Sequence, residues 1–376
     1  MKILFLTQIA CFPPDAGEKL RSFNLIHSIL EFSDTLYLVS GNAPPREATY
    51  SKVKYFPFPS GYYSQNRWKD LSLLFRRNKD LEKAIRSILD TEPVELAFLD
   101  YYFLGNYISL FKERGIKVIY GTHNVQPALN HQTPAKTLKD RLYKKVRLLL
   151  ETRHEQRYYP QSDALICVSE QDQEWYQNHY KNLPVFLIPN YIHEAIYKNS
   201  IELRKKNQII MAANYSAFQN KYGLQWFLEK VWDEELASLT TLIVAGHRSV
   251  SVLENLKQEG ISTAGVQALG TVDDMKKSIA ESKAAIIPLL HGSGTRLKCI
   301  EAMALKTSII STTVGAQGID HNGSILLADD PSDFKTAIIR ILQKKIQPEE
   351  SAYQVFLNKY SSKANTPRLK KILSEQ

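Results

Sequence analysis

Short apolar runs alternate with helical segments along the whole chain, and this pattern limits the possible fold more than any other feature. Runs rich in Ile, Leu and Val, bounded by polar or turn residues, are typical of strands buried on both faces of a parallel sheet. In the first half they occupy residues 2–7, 35–40, 95–100, 117–122, 164–169 and 185–189. Helical periods fall between them, near residues 17–32, 66–90, 104–113, 137–159 and 170–180. The alternation predicts a doubly wound α/β domain.

The alternation begins again after residues 188–208, a segment with few apolar anchors. The second set of predicted strands comprises residues 208–213, 241–246, 266–270, 284–289 and 307–312. A length of 376 residues suits two domains better than one. We predict a Rossmann-like domain over 1–190, a second over 191–350, and a helical tail, 351–376, that packs back on the first. Ligands of doubly wound sheets bind beyond the carboxyl ends of the strands, so the expected site is a cleft between the domains.

Composition narrows the class of partner. The net charge of +9 favours an anionic partner: a nucleic acid, an anionic membrane surface or a phosphorylated small molecule. Because no segment interleaves Arg, Gly and aromatic residues, we expect no nucleic-acid partner. No apolar run approaches the length of a membrane span. Cys11, Cys167 and Cys299 lie far apart without a CxxC motif, which argues against disulfides or zinc and favours a cytoplasmic location.

The stretch HGSGTRLKCIEAMAL, residues 291–305, combines a glycine loop with two cations and a carboxylate. Gly292 and Gly294 let the backbone approach a ligand, and the N–H groups of the following helical turn form an anion site. Arg296 and Lys298 are unfavourable at a helix N-terminus unless an anion is present. Glu301, about two turns into the helix, suits ribose hydroxyls. The residues fit a nucleoside diphosphate or, alternatively, a glycine loop with two solvated charges.

Extended to PLLHGSGTRLKCIEAMALKTSIISTTVGAQGI, this stretch resembles the donor-binding motif of retaining glycosyltransferases of the GT-B fold, the group 1 family (glycosyltransferase family 4). Further segments resemble landmarks of that family in the same chain order: FPPDAGEKLRSFNLIHSIL, GTHN, SDALICVSEQD, LIPNYI and AANYSAFQNKYGLQWFLEKVW. The resemblance implies two Rossmann-like parallel-sheet domains that face each other across a cleft. It also implies hexosyl transfer from a nucleotide-diphosphate sugar, UDP- or GDP-linked, without a further cofactor.

The resemblance assigns roles to residues of the glycine loop and its helix. Glu301 matches the second glutamate of the family's Glu-x7-Glu motif, which is expected on the ribose. The first glutamate falls at Ser293, so the contact that the family makes to the transferred sugar is altered here. Gly294, Thr295 and Arg296 are expected to hold the diphosphate or the sugar. The serine also motivates an alternative function, a catalytically inactive glycosyltransferase-like binding subunit.

Other segments supply further expected donor contacts. Lys221 matches the family's phosphate lysine, while Asn214 stands where the family has an arginine. Gly17 matches one glycine of the Gly-Gly pair at the donor phosphates. Val272 and its neighbour Thr271 match the segment that grips the base through its backbone.

His123 closes an apolar run and therefore lies at the carboxyl end of a strand. A lone histidine at such a place is more often a hydrogen-bonded loop residue than a functional group. The resemblance reverses that interpretation, since the family's histidine binds the transferred sugar and helps the acceptor to approach. The resemblance thus gives His123, Arg296 and Lys221 as the catalytic set.

The expected mechanism needs little side-chain chemistry. Cations and helix N–H groups stabilise the departing diphosphate, and in the family the donor phosphate accepts the acceptor's proton. No paired carboxylates suggest a general acid and base. Asp273 and Asp274 superficially resemble a metal motif, but they begin a helix and fit N-capping better. We expect no metal.

A basic run over 136–157 contains eight Lys or Arg residues against three acids. It fits a solvated helical face, or a surface that brings the enzyme to a lipid-linked acceptor at the inner face of a membrane. The same helix is predicted to carry an apolar face, which suits either a core or a membrane: Leu138, Leu142, Val146, Leu149 and Leu150.

The leading hypothesis is a retaining glycosyltransferase that extends a surface polysaccharide or glycolipid. Its partners would be a nucleotide-sugar donor and a saccharide or lipid-linked acceptor. An epimerase or NAD-dependent oxidoreductase would share the α/β architecture. The first strand is followed by QIACFPPDAGEK, without the GxGxxG of a dinucleotide site, which argues against NAD.

Overall fold

The computed structural model describes residues 1–14, 17–59, 67–125, 137–193, 197, 200, 203–291 and 296–375. These residues form two compact units. Unit 1 comprises Met1–Asn190 and Asn365–Gln376, and unit 2 comprises Tyr191–Ala364. No helix of the described residues is long and apolar enough to cross a membrane.

Unit 1 contains a parallel sheet of seven strands in the order β3-β2-β1-β4-β5-β6-β7. The strands are β1 (Lys2–Thr7), β2 (Thr35–Ser40), β3 (Val53–Pro57), β4 (Leu96–Asp100), β5 (Lys117–Gly121), β6 (Ala164–Cys167) and β7 (Val185–Leu187). Their order reverses at β1, where Phe5 pairs with Leu38 on one side and with Phe98 on the other. This reversal is the switch point at which doubly wound sheets bind ligands.

The helices of unit 1 cover both faces of this sheet, as the continuous apolar strands require. They are α1 (Gly17–Phe32), α2 (Arg67–Asp70), α3 (Lys79–Thr91), α4 (Ile108–Lys112), α5 (Leu138–Tyr158), α6 (Glu170–His179) and the last helix of the chain, Ser362–Glu375, most of which belongs to this unit. The single helix predicted near 66–90 is divided, because Asn78 begins α3 by accepting hydrogen bonds from the N–H groups of Asp80 and Leu81.

Unit 2 contains a parallel sheet of six strands in the order β10-β9-β8-β11-β12-β13. The strands are β8 (Gln208–Ala212), β9 (Thr241–Ala245), β10 (Val266–Gly270), β11 (Ala284–Ile287), β12 (Ser308–Ser311) and β13 (Leu326–Leu327). The order reverses at β8, which pairs with both β9 and β11. The carboxyl ends of these strands therefore form the second switch point.

Unit 2 has seven further α-helices among its described residues. In order they are α7 (Phe218–Lys230), α8 (Glu234–Leu239), α9 (Ser249–Gln258), α10 (Met275–Ala280), α11 (Leu297–Ala304), α12 (Pro331–Leu342) and α13 (Glu349–Val355). Two of them, α7 and α11, start at the carboxyl ends of the strands. Only the first residues of α14, the helix Ser362–Glu375 already given, belong to unit 2. Asp274 caps α10, because its side chain accepts a hydrogen bond from the Lys277 N–H. Neither α7 nor α11 has a side-chain cap at its N-terminus.

Candidate active site

The switch point of unit 1 carries a buried aspartate–histidine pair. Asp100 is the last residue of β4 and His123 follows β5, so parallel pairing of these strands brings the two side chains together. His123 Nε2 lies 2.8 Å from Asp100 Oδ1. The Asp100 side chain is fully buried and that of His123 is only 6% exposed. The second carboxylate oxygen accepts a hydrogen bond from the Ser22 hydroxyl on α1.

The charge state of Asp100 decides how His123 is protonated. Burial by itself raises the pKa of this carboxyl group, but His123, the Ser22 hydroxyl and nearby Arg21 together hold the pKa below its usual value. An ionised carboxylate can only accept hydrogen bonds, so the proton of His123 lies on Nε2. In the neutral form of this ring the lone pair lies on Nδ1, which can then accept a hydrogen bond from a hydroxyl group.

The loop after β4 packs an aromatic ring against His123. Tyr101 and Phe103 have φ angles of 89° and 72°, a strained conformation for bulky residues. The Tyr101 ring meets the His123 ring edge-on, with centroids 4.9 Å apart, and its hydroxyl donates to Glu18 Oε2 at 3.1 Å. Burial raises the pKa of Tyr101, which keeps this hydroxyl a donor. The strained backbone at Tyr101 thus places its ring against His123.

Helix α1 begins at this switch point with Gly17, which is exposed. One turn later Arg21 is 3% exposed, and its Nη1 donates to the Ile188 carbonyl at 3.3 Å and to Asn190 Oδ1 at 3.0 Å. The LIPN segment after β7 thus anchors α1 through an arginine that sequence reasoning missed.

In unit 2, helix α11 carries the predicted donor residues. Glu301 Oε1 accepts a hydrogen bond from the Tyr197 hydroxyl at 3.1 Å, and the Lys276 ammonium lies 5.8 Å from the Tyr197 ring centroid. Burial raises the pKa of Glu301, while the Tyr197 hydrogen bond, Lys298 and Lys276 oppose that rise. No hydrogen bond to Glu301 Oε2 comes from the residues that the structure describes, so this oxygen can accept one from a ligand hydroxyl.

The two cations at the start of α11 are partly removed from water. Burial, with a smaller contribution from the neighbouring Arg296, lowers the pKa of Lys298 to about 8, while Cys299 and Glu301 act in the opposite sense. Burial also lowers the pKa of Arg296, whose Nε donates to the Val314 carbonyl at 3.3 Å. A bound anion would offset this loss of hydration.

Close backbone contacts bring α7 next to these cations. A Cβ on Gly223 of α7 would lie 2.6 Å from the Pro288 carbonyl oxygen after β11, so only glycine permits this approach. As a result Asn220 Oδ1 accepts a hydrogen bond from Lys298 Nζ at 3.1 Å. Lys221 is the next residue on α7 and is partly buried. Lys221 is therefore adjacent in sequence to Asn220, which contacts Lys298.

The remaining predicted donor contacts differ in how the structure uses them. Asn214 is exposed and shapes the loop before α7: its side-chain oxygen accepts from the Ser216 N–H at 3.0 Å. Val272 is partly buried just after β10, where Gly270 adopts a φ of 70°. Four of the predicted residues lie outside the described part of the chain: Gly292, Ser293, Gly294 and Thr295. Within the described ranges, no group of three or more His, Cys, Asp or Glu side chains could hold a metal ion.

Comparisons with known proteins agree with this architecture. Residues 35–195 match the family model described as Glycosyltransferase Family 4, and residues 206–344 match the model described as glycosyl transferases group 1. One curated relative, an uncharacterized 44.6 kDa protein in the cps region of Klebsiella pneumoniae, is 26% identical over 157 residues. That match covers 39% of this chain and 40% of the relative, so it spans about two fifths of the relative's length.

Solved structures are similar over the whole chain. The sucrose-phosphate synthase of Thermosynechococcus elongatus is 15% identical, with a TM-score of 0.71 and coverage of 100% of this chain and 98% of its own. The HepE protein of Anabaena, in its complex with UDP-glucose, is 15% identical, with a TM-score of 0.69 and full coverage of both chains. Likeness at this identity shows the fold, which is GT-B. With two family models that together match most of its length, the chain belongs to the group 1 glycosyltransferases.

Proposed function

We propose that this protein is a retaining, cytoplasmic glycosyltransferase that moves a hexosyl group from a UDP- or GDP-linked sugar to a saccharide or lipid-linked acceptor. The acceptor would be part of a surface polysaccharide or glycolipid. The observation that carries the proposal is the arrangement on α11, where partly desolvated cations precede a carboxylate with an open oxygen. The cps-region relative and the UDP-glucose complex of HepE support the choice of pathway and donor.

The chemistry of α11 matches a nucleoside diphosphate. Lys298 and Glu301 are three residues apart, so they share one face of the helix with roughly 5–6 Å between their Cβ atoms. A diphosphate beside Lys298 and Arg296 would restore the charge balance that burial has disturbed. Glu301 Oε2 would accept a ribose hydroxyl. A nucleoside diphosphate presents both groups within one small molecule, and we assign Lys221 to its phosphates as well.

Transfer with retention would rest on stabilisation of the departing diphosphate. Preorganised cations act most strongly where charge develops, in a site that excludes water. Arg296 and Lys298 would take this role, and the donor phosphate would accept the proton of the acceptor hydroxyl. We assign His123 to a sugar hydroxyl, which would donate a hydrogen bond to Nδ1 while Asp100 holds Nε2–H.

Calorimetric binding of UDP, GDP, ADP and UMP tests the donor site. We expect one nucleoside diphosphate to bind more tightly than its monophosphate. Lys298→Met should weaken that binding about tenfold to a hundredfold, because a charge-assisted hydrogen bond is lost. Lys257→Met, which changes an exposed lysine of α9, serves as the matched control. If wild-type protein binds no nucleoside diphosphate, the donor site is wrong.

Turnover is tested separately with the sugar conjugates of the nucleotide that binds. NMR of the product should show the anomeric configuration of the donor. An inverted product would contradict retention. Diphosphate binding without transfer or hydrolysis of any conjugate would favour the inactive binding subunit instead.

A further inference from the structure

Helix α5 exposes a row of leucine side chains. Leu138 is 82% exposed, Leu142 59% and Leu149 51%. Their spacings of four and seven residues place them on one stripe of the helix. Leu138 and Leu142 lie one turn apart, and Leu149 follows two turns later with the exposed Lys145 between them, so the three leucines form an apolar row interrupted by a cation.

A neighbouring side of α5 already has its packing partners. Val146 and Leu150 are partly buried and pack with Tyr143 against the cluster Leu71, Leu74 and Phe103. The five apolar residues predicted to form one face therefore differ in burial: Val146 and Leu150 pack into unit 1, whereas the other three are exposed. The leucine ridge, defined as Leu138, Leu142 and Leu149, contributes no residue to this cluster.

The positive and negative side chains of α5 also lie on different sides of the helix. Arg141, Lys145 and Arg153 are exposed, and helical geometry of about 100° per residue places them along or beside the leucine ridge. The helix has three acids, Asp140, Glu151 and Glu155, and the same geometry places all of them away from the ridge. Glu151 and Glu155 are buried, and Asp140 accepts a hydrogen bond from the Thr137 hydroxyl.

We propose that the leucine ridge and its flanking cations dock this protein on an anionic lipid surface. An amphipathic helix that presents leucines between Lys and Arg residues binds membranes through apolar insertion combined with attraction to anionic headgroups. Trp68, 45% exposed, packs edge-on against Tyr143 with centroids 5.0 Å apart, beside the same helix. Tryptophan is enriched where one end of a side chain meets lipid and the other meets water.

The charge distribution favours lipid over two other occupants. A second copy of the chain would bring the same cations against each other, since a two-fold interface pairs identical patches. A nucleic acid would use the cations but would leave the leucines exposed to water. An anionic bilayer satisfies both groups at once.

Vesicle flotation of the full chain without nucleotide tests this proposal independently of the donor site. We expect the protein to float with vesicles that contain about a third phosphatidylglycerol in phosphatidylcholine, and not with pure phosphatidylcholine. The triple variant Leu138→Ser/Leu142→Ser/Leu149→Ser should bind at least about tenfold more weakly. The double variant Arg141→Gln/Lys145→Gln should bind about 25-fold more weakly, since each cation near an anionic surface contributes roughly fivefold.

Matched controls separate docking from general effects. Leu327→Ser changes a leucine of unit 2 that is 47% exposed, and Arg368→Gln/Lys370→Gln removes two exposed cations from α14. Both controls should bind as wild type does. The far-UV circular dichroism spectrum and the thermal unfolding midpoint of the leucine variant should match those of the wild type, which shows that the variant is folded. Absence of binding to anionic vesicles, or equal binding by the leucine variant, would overturn the proposal. Conversion of a wild-type dimer to a monomer by the leucine changes, measured by light scattering, would overturn it in favour of self-association.

Discussion

The two switch points of the molecule treat buried charge in different ways. In unit 1, Asp100 is fully buried, and its oxygens are bonded to His123 and to Ser22 of its own unit. In unit 2, Lys298 is partly desolvated, and its hydrogen-bond acceptor is the neutral amide of Asn220. Among the described residues no carboxylate forms an ion pair with Lys298. The first site is complete without a ligand, whereas the second would gain most from an added anion.

This difference indicates that the Asp100 site contributes mainly to the stability of the fold and the Lys298 site mainly to ligand binding. A buried charge that has its partners contributes to the fold and is costly to break. A partly buried charge without a counterion lowers stability until a ligand supplies one. Substitutions at the two sites should therefore have separate consequences.

The largest expected effect is the loss of stability on removing Asp100. In Asp100→Ala the His123 Nε2–H and the Ser22 hydroxyl lose their acceptor in a buried place. The free energy of unfolding of unit 1 should fall by about 3 kcal/mol. Chemical denaturation followed by the fluorescence of Trp175, which lies in unit 1, measures it in a variant whose other tryptophans are replaced by Phe.

Asp80→Ala is the control for this prediction, because Asp80 is exposed in the first turn of α3. Asp80→Ala should lower the free energy of unfolding by at most about 1 kcal/mol. If Asp100→Ala costs no more than this control, then the aspartate–histidine pair does not stabilise unit 1 and the comparison fails.

Sequence reasoning found the strands at these sites more easily than the contacts. The continuous apolar runs fixed β1 and β2 at the residues where the structure has them, because strands buried on both faces have few alternatives. Strand β3, whose second residue is the exposed Lys54, was missed because an edge strand mixes polar and apolar residues. The two-residue β13 has no periodicity to detect.

The partners within each site could not be predicted from local pattern. Asp100 was recognised as the end of a strand, but its contact with His123 depends on the pairing of β4 with β5. An acidic residue that ends a fully apolar run was the one signal available. Tyr197 is 104 residues from Glu301 in sequence, and no motif joins them. The order of apolar runs along the chain predicted the strands and helices, whereas the side-chain hydrogen bonds depend on tertiary packing.

A second, intermediate effect is the dependence of stability on pH: stability should rise with pH at both sites but in separate pH windows. The pKa of Asp100 is lowered in the folded state. Its contribution is therefore present above the unfolded pKa of about 4 and is lost as the pH falls through the folded value. Burial lowers the pKa of Lys298 from 10.5 to about 8. Between these two pH values the unfolded state binds more protons, so stability should rise with pH across that window.

Single variants test which residue causes the acid part and which the alkaline part of the profile of stability against pH. Asp100→Asn should flatten the acid limb, and Lys298→Met should reduce the alkaline rise, both measured by denaturation from pH 3 to 10. Lys205, whose pKa burial also lowers to about 8, contributes in the same sense, so the difference between wild type and Lys298→Met is the quantity to compare. Parallel alkaline profiles for these two proteins would show that Lys298 is hydrated in the folded state.

The smallest effect tests whether Tyr197 orients Glu301 in the proposed donor site of unit 2. The Tyr197 hydroxyl fixes one oxygen of Glu301 and lowers its pKa, so Tyr197→Phe should leave Glu301 less well placed and less readily ionised. Loss of one such hydrogen bond is worth about 1 kcal/mol, or roughly fivefold in affinity. That loss should appear for the nucleoside diphosphate but not for its 2′,3′-dideoxy analogue, because the analogue has no hydroxyls for Glu301 to accept. Tyr222→Phe, at an exposed tyrosine of α7, should change neither affinity. An equal loss for both nucleotides would mean that Tyr197 supports the packing of unit 2, and that Glu301 does not read the ribose.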